Sequence, residues 1–505
     1  MKNAVRAAFI LSAFTFAERT IGFLFKIFLS RELGASAVGV YQVALSFFLV
    51  LLTLITSGIP LVVSKMTAKY RAEGLRKLES SITTSALLLG LAVASVCSVV
   101  ILALKNQIGA LFATPKSITL VVLMLPSLFF SAVYSAYRGN LWGQQKYTLA
   151  SALELGEQIC RIICFVLFIL IGFDKLKATA VSTCVSCFVS ATACVLCYVI
   201  YGGKFSSPKS TFATLTKSAF PVTVARVSTG VVSSIVAIIV PMLLISGGMD
   251  AKNAMYVYGY SVGMAMPLVF VPLTFVGSIS FVLIPSLSTA SAMSNDKSVI
   301  RQIEKALEVS IVLGVMLFPA FFVLGEPIGV FLYGNADAGK FLSASAWLIL
   351  PIALENITSS MMNTLDLEYK GLLNYFIGSA VMFGILFAFK TNFNIYYYTV
   401  GMGASLIISS VLDVLAMRKK IKFGAKILPN IVKNCALLFP ACLMTRWSYD
   451  LTAGLHEFFR IAIGAGSGFL FLMGLFFLFG SIKTEYFFKK NSAQVQKSIA
   501  IRKHM

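Results

Sequence analysis

The sequence has little that aqueous catalysis would use. Of 505 residues only two are histidine, His456 and His504, and three are tryptophan. It has no HExxH pair, no glycine-rich phosphate loop and no Ser–His–Asp set, so neither zinc hydrolysis nor nucleotide hydrolysis has residues to work with. Charge is also scarce. Asp and Glu number 20, and all charged residues together make up 12%, about half the share in a soluble domain. The longest polar stretches are 65–81 and the tail after Ser481, so no soluble domain is expected. No cofactor is predicted, and the chain reads as something other than an enzyme.

Nine cysteines are present, and four approach a metal signature: Cys184-x2-Cys187 and Cys194-x2-Cys197. All four fall in one apolar run. On a continuous helix their directions spread over roughly 140° and 15–20 Å of axis, so one ion could not collect them. The Ser, Thr and Ala around them suit close helix packing instead.

What the chain does have is hydrophobic length. Apolar residues make up 58%, and a membrane span needs about 20 of them in a row. We place fourteen spans near 5–30, 37–64, 82–104, 117–137, 148–172, 178–201, 218–246, 254–287, 303–325, 342–365, 372–389, 394–416, 428–449 and 458–481. These runs are too long and too uniformly apolar for outer-membrane strands. The fold class is an all-α polytopic membrane protein.

The net charge of +22 follows from this topology. With fourteen spans both termini share a side. With Lys and Arg up to three residues inside a span end counted with the adjoining side, 27 of the 42 fall on that side, 10 on the other and 5 within spans. The positive-inside rule then predicts cytoplasmic termini. Membrane lipids, not nucleic acid, are the expected partners of these cations. The start, Met-Lys followed by an apolar run, resembles a signal peptide. Glu18-Arg19 follows without a small-residue cleavage site, so an uncleaved first helix is expected.

A weak internal repeat organises the chain. Ile108-Gly109, Pro126 and a turn at Gln144-Gln145-Lys146 are echoed by Ile328-Gly329, Pro351 and a turn at Leu367-Glu368-Tyr369-Lys370. Arg19 with Gly22 in span one is echoed by Arg226 with Gly230 in span seven. Six spans separate the members of each pair, an even number. The repeat is therefore parallel, with its axis along the membrane normal. The expected domains are six-helix lobes at 1–205 and 206–420 around a central cavity, two extra helices at 421–482, and a basic tail at 483–505. Several spans contain proline, among them two, four, seven, eight and ten, with Pro267, Pro272 and Pro285 in span eight. They read either as ordinary kinks or as bending points.

Ionisable residues inside spans are costly and usually face a cavity or pair with each other. Arg19 and Lys26 are seven residues apart in span one and share a face; Glu18 neighbours Arg19. Lys26 reads as a cavity residue or as a side chain snorkelling to the interface. Glu154, Glu157 and Arg161 lie at i, i+3 and i+7 in span five. They read as an internal ion pair that fixes packing, or as a gating or protonatable site. Arg226 lies in span seven and Glu355 in span ten.

One combination of motifs is specific. Leu33-Gly34-Ala35, Gly39-Val40-Tyr41-Gln42, Ser57-Gly58-Ile59-Pro60 and Ser64-Lys65 resemble the stage V sporulation protein B family. So do Tyr137-Arg138-Gly139, Gly143 and Glu157-Gln158 with Arg161. The resemblance covers roughly the first 165 residues. That family is grouped with polysaccharide exporters and MurJ-like lipid II flippases in the multidrug/oligosaccharidyl-lipid/polysaccharide superfamily. The resemblance implies two six-helix lobes and outward movement of an undecaprenyl-linked sugar by alternating access. By position, Arg19 and Lys26 match basic sites of the family's first helix, and Glu157, Gln158 and Arg161 its fifth-helix motif. The sequence departs from the pattern at Glu18, Phe28 and Asn140-Leu141-Trp142.

The resemblance implies a lipid-linked anionic glycan precursor such as lipid II as the cargo, and basic residues in a cavity favour an anionic cargo because they would replace the hydration of its pyrophosphate. Arg19, Lys26, Arg226 and Arg161 are the substrate-binding candidates. Glu154, Glu157 and Glu355 are the gating or ion-coupling candidates. A coupling ion is a further candidate partner, and a monomer is expected. The alternatives are a cation-coupled drug or small-molecule antiporter of the same fold, and a non-transporting scaffold in envelope or spore assembly.

Overall fold

The computed structural model describes residues 2–271, 296–421 and 427–480. Among the described residues all regular structure is helical. That is the outcome expected of long apolar runs, whose backbone polar groups must be satisfied internally in lipid.

The first helix, α1 (Lys2–Thr56), is two helices joined at Gly34, where φ is 72° and ψ 162°. Only glycine occupies that region without strain. It is followed by α2 (Gly58–Ala72), α3 (Arg76–Ala103), α4 (Lys105–Ala110), α5 (Pro115–Gly143), α6 (Tyr147–Leu170) and α7 (Lys175–Ile200). Then come α8 (Phe212–Ser246), α9 (Ala251–Tyr258) and a π-helical segment, Gly259–Ala265. The remaining helices are α10 (Met266–Val269), α11 (Asp296–Met316), α12 (Phe318–Tyr333), α13 (Ala336–Ser345), α14 (Ile349–Thr364), α15 (Glu368–Ala388), α16 (Ile395–Lys420), α17 (Ile427–Ala436), α18 (Leu438–Leu451) and α19 (Glu457–Leu478).

Ten stretches of the described residues are long and apolar enough to cross a membrane. One of them, Ala13–Ala72, is 60 residues long. At 1.5 Å per residue this is about 90 Å, enough for two passes, and the break at Gly34 separates them. The helix α6 is as long as a span but carries Glu154, Glu157 and Arg161 along its middle. Adding α6, the α9–α10 run and the α17–α18 pair, broken at Leu437, gives each of the fourteen expected spans a helix. Pro272 and Pro285 of span eight, and the tail 483–505, lie outside the described residues.

The chain forms two compact units. The first is Met1–Met264 with Lys390–Ile395; the second is Ala265–Phe389 with Tyr396 onward. Packing thus closes the first unit beyond residue 205, where the repeat divides the lobes. The reason is local: α8 lies against α1 and α2 through small residues. A Cβ on Gly58 would collide with Ala219 and Thr223 of α8, and one on Gly230 would reach Val50 at 3.8 Å. Likewise Gly39 of α1 meets Met255 of α9, and Gly259 of the π-helical segment meets Ala35 of α1. The lobe assignment is one of repeat topology, and we retain it as a proposal.

Within the first unit the glycines of the sequence motifs meet their counterparts. A Cβ on Gly139 would lie 2.8 Å from the Pro60 carbonyl, and one on Gly143 2.7 Å from the Ser64 carbonyl. The two motif segments around residues 57–65 and 137–143 are therefore the two faces of one helix contact. Asn140, fully buried, donates to Thr83 Oγ1 at 3.0 Å and accepts from Gln144 Nε2 at 2.7 Å. This departure from the family pattern is a satisfied core polar group.

The second unit has its core where α11, α14 and α16 meet, at Ile303, Leu307, Ile357, Met362 and Met417. The terminal helices pack through Gly464 and Gly468 against Thr445, the small-residue mode of membrane helices. Leu438, Ala441, Leu472 and Phe476 join them to Val312 and Val315 of α11.

Candidate functional site: a charged cluster in the first unit

The fifth-span triad does not act as one group. Arg161 pairs with Glu157, one turn back on α6, at 2.6 Å between Nη2 and Oε1. Its Nε lies 3.4 Å from Ser186 Oγ on α7, and Nη1 lies 3.5 Å from Gln158 Oε1. Cys187 Sγ lies 3.7 Å from the same Glu157 oxygen. The side chains of Arg161 and Glu157 are 28% and 19% exposed, so the pair is largely withdrawn from solvent or lipid. Glu154 faces elsewhere and pairs with Arg138 of α5 at 2.7 Å.

Arg138 is the residue that the reading of the sequence missed. It lies five residues before the end of the helix Pro115–Gly143, one residue past the expected end of span four at 137. It sits inside α5, 19% exposed, with its guanidinium 4.7 Å from the ring centre of Trp142 and 5.3 Å from that of Tyr134. Its Nε is buried without a hydrogen-bond partner among the described residues. The Tyr134/Arg138/Trp142 spacing of i, i+4 and i+8 was the available signal, because it puts two aromatic faces on one cation.

The first half of α1 borders this cluster. Glu18 lies within electrostatic reach of Glu154, Glu157, Arg138 and Arg19. Gly22 leaves room for Gln158, whose Nε2 would stand 3.4 Å from an added Cβ. Further along, Phe25 and Phe28 meet Phe165 of α6 edge to face, with ring centres 5.5 and 6.1 Å apart. Tyr41, from the second half of α1, lies within electrostatic reach of Arg161.

Arg19 is exposed and makes no ion pair among the described residues. Lys26 is half-buried, with Nζ 3.4 Å from Gln42 Oε1 on the other half of α1. Arg226 on α8 is exposed and likewise makes no ion pair among the described residues. Both arginines belong to the first compact unit.

Glu355 belongs to the second unit, on α14. Its Oε2 accepts from Ser410 Oγ of α16 at 3.0 Å. One turn on, buried Asp413 accepts from Asn374 Nδ2 of α15 at 2.7 Å, and the two carboxyl groups are close enough to repel. Chemically such a pair could hold a proton or a monovalent cation. Among the described residues no group of three or more His, Cys, Asp and Glu is arranged for a metal ion.

These features define a class: an α-helical polytopic membrane protein whose long apolar helices carry cations, some ion-paired and some without an ion-pair partner among the described residues. The sequence model of the family described as polysaccharide biosynthesis protein matches residues 4–291. The chain belongs to that family. It is 21% identical to stage V sporulation protein B of Bacillus subtilis (strain 168), over 95% of this chain and 96% of that one. It is 22% identical to sporulation protein YkvU of the same organism, over 68% and 78%.

Among solved structures, the fold matches the lipid II flippase MurJ in an inward closed conformation, with a TM-score of 0.70 and 13% identity. The match covers 93% of this chain and 99% of MurJ. It also matches an inward-facing multidrug resistance MATE family transporter, with a TM-score of 0.69 and 15% identity over 80% and 94%.

Proposed function

We propose that the chain is a flippase moving an undecaprenyl-linked cell-wall or polysaccharide precursor, of the lipid II kind, outward across the bacterial cytoplasmic membrane. The two repeat-related lobes, 1–205 and 206–420, would alternate access to a central cavity, with both termini cytoplasmic. The observation that carries this reading is the pair Arg19 and Arg226. They are cations on membrane-crossing helices, exposed, without an ion-pair partner among the described residues, in a chain of the polysaccharide biosynthesis family.

An unpaired charge at such depth is costly, so its retention points to a ligand of opposite sign. A pyrophosphate of about two negative charges is such a ligand. Lys26 would extend the same basic path along α1. Arg161, already held by Glu157, would contribute when that pair opens. Glu154 and Glu157 would then gate the site by taking and releasing Arg138 and Arg161. Glu355, with Asp413, would bind the coupling ion. The protein would act as a monomer.

A cation-coupled antiporter is the second reading, favoured by the Glu355–Asp413 pair. The two are separated by reconstituting the purified chain in liposomes. The flippase reading expects transfer of a lipid-linked pyrophosphate glycan between leaflets. The antiporter reading expects cation-dependent efflux of small cationic drugs and no such transfer.

A further inference from the structure

One end of the first unit holds a cavity lined by none of the residues assigned above to the cargo path or the coupling site. It has a volume of about 660 Å3 and is bounded by the end of α2, the start of α3, the turn after α5 and the loop after α7. That volume is in the range of small-ligand sites. Four cations line it, Arg71, Arg76, Lys77 and Lys204, against the single carboxylate of Glu79.

That carboxylate is fully engaged. Its Oε1 accepts from Arg71 at 3.3 Å and lies 3.5 Å from Gln144 Nε2, and its Oε2 accepts from Arg76 at 3.0 Å. Its side chain is only 8% exposed. Glu79 therefore orients two guanidinium groups and neutralises one charge of the four. Lys77 and Lys204 are exposed, and the four lining cations leave a surplus of three positive charges over Glu79. The arginine planes present paired N–H groups, the geometry that suits phosphate oxygens.

The opposite wall is also built. Tyr198 donates its hydroxyl to the Lys204 carbonyl at 2.9 Å. Gly203 lies so close to the Tyr198 ring that an added Cβ would stand 2.5 Å from it. Gly202 turns the chain with φ of 77°. Ser206 N lies 3.4 Å from Thr84 Oγ1. The loop carrying Lys204 is thus fixed to α3 and α7. Lys146 lies over the face of Tyr201 beside it, adding positive potential at the rim.

We propose that this cavity is a binding site for a phosphate group, carried either by an anionic lipid headgroup or by a soluble phosphorylated ligand, distinct from the path of the transported precursor. Its position at the ends of four helices places it at headgroup level, where basic pockets between membrane helices meet lipid phosphates. A soluble phosphate would enter from the aqueous side.

The test uses the full chain in detergent and two probes. Sodium pyrophosphate is titrated with thermal unfolding as the readout, and retained phosphatidylglycerol is counted by native mass spectrometry. The variant Lys77→Gln/Lys204→Gln removes two lining charges and leaves the Glu79 pairs intact; the single variants serve if the double one folds poorly. At least one probe is expected to bind, with affinity falling about tenfold or more in the double variant and persisting in Arg19→Ala/Arg226→Ala. Pyrophosphate binding alone identifies a soluble ligand, and phosphatidylglycerol binding alone a headgroup. Failure of both probes to bind, or binding that K77Q/K204Q leaves unchanged, would overturn the proposal. So would binding lost in Arg19→Ala/Arg226→Ala.

Discussion

Arg138 and Glu154 join α5 to α6 through a 2.7 Å ion pair that is four-fifths withdrawn from the surface. Breaking it from one side leaves a charge with no partner. Arg138→Ala and Glu154→Ala are each expected to lower stability by about 3–5 kcal/mol. Arg138→Met/Glu154→Leu is expected to lose clearly less than the sum of the two, because no charge is stranded. Thermal unfolding in detergent measures all three. Additive losses would mean that the pair does not hold these helices together.

The Gly139–Pro60 contact leaves no room for a side chain. Gly139→Ala places a Cβ 2.8 Å from the Pro60 carbonyl, and overpacking of this kind costs about 1–3 kcal/mol. Gly156→Ala, with nothing within 4 Å of the added carbon, is the control and should be neutral or mildly stabilising. Membrane levels of the two variants, compared by quantitative blotting, check the contrast.

Glu157 can be tested as a fixture or as a working group. If it only anchors Arg161, Glu157→Gln, which still accepts a hydrogen bond, should fold and transport better than Glu157→Ala, which strands Arg161. If opening of the pair is part of the cycle, Glu157→Gln should stop transfer while the folded protein remains. Folded yield and precursor transfer, measured together, separate the cases. Wild-type behaviour of both variants would remove Glu157 from either role.

Glu355 and Asp413 share a buried site in the second unit. If they bind the coupling ion, Glu355→Gln/Asp413→Asn should abolish the dependence of transfer on an imposed ion gradient. The carboxamides keep the local shape and Asn374 in place. Gradient-driven transfer in liposomes measures this, and an unchanged response would assign the pair to packing.

Much of this was legible in the sequence. The fourteen spans follow from apolar length alone, and the Glu157–Arg161 pair from i, i+4 spacing on one face. What was hidden depended on what lies across a helix interface. Arg138 sits near the end of an apolar run, where loop and interior cannot be told apart without knowing that Glu154 lies opposite. Helix ends were missed for a similar reason: Lys65, Lys69 and Arg71 look like a loop, yet α2 runs on to Ala72, because a helix can leave the apolar layer without ending. The reach of the first unit to Met264 could not be read from span counts, since it rests on glycine contacts of α8 with α1–α2 and of α9 and the π-helical segment with α1.

The central claim is that Arg19 and Arg226 carry the charge of the cargo. Its most direct test is transfer of an undecaprenyl-pyrophosphate glycan between leaflets of liposomes holding either the wild-type chain or Arg19→Ala/Arg226→Ala, with unfolding temperatures measured alongside. The account predicts that the variant folds like wild type and transfers no faster than protein-free liposomes, with Arg19→Lys retaining part of the rate because charge is kept without the guanidinium fork. Wild-type transfer by the double variant would contradict it.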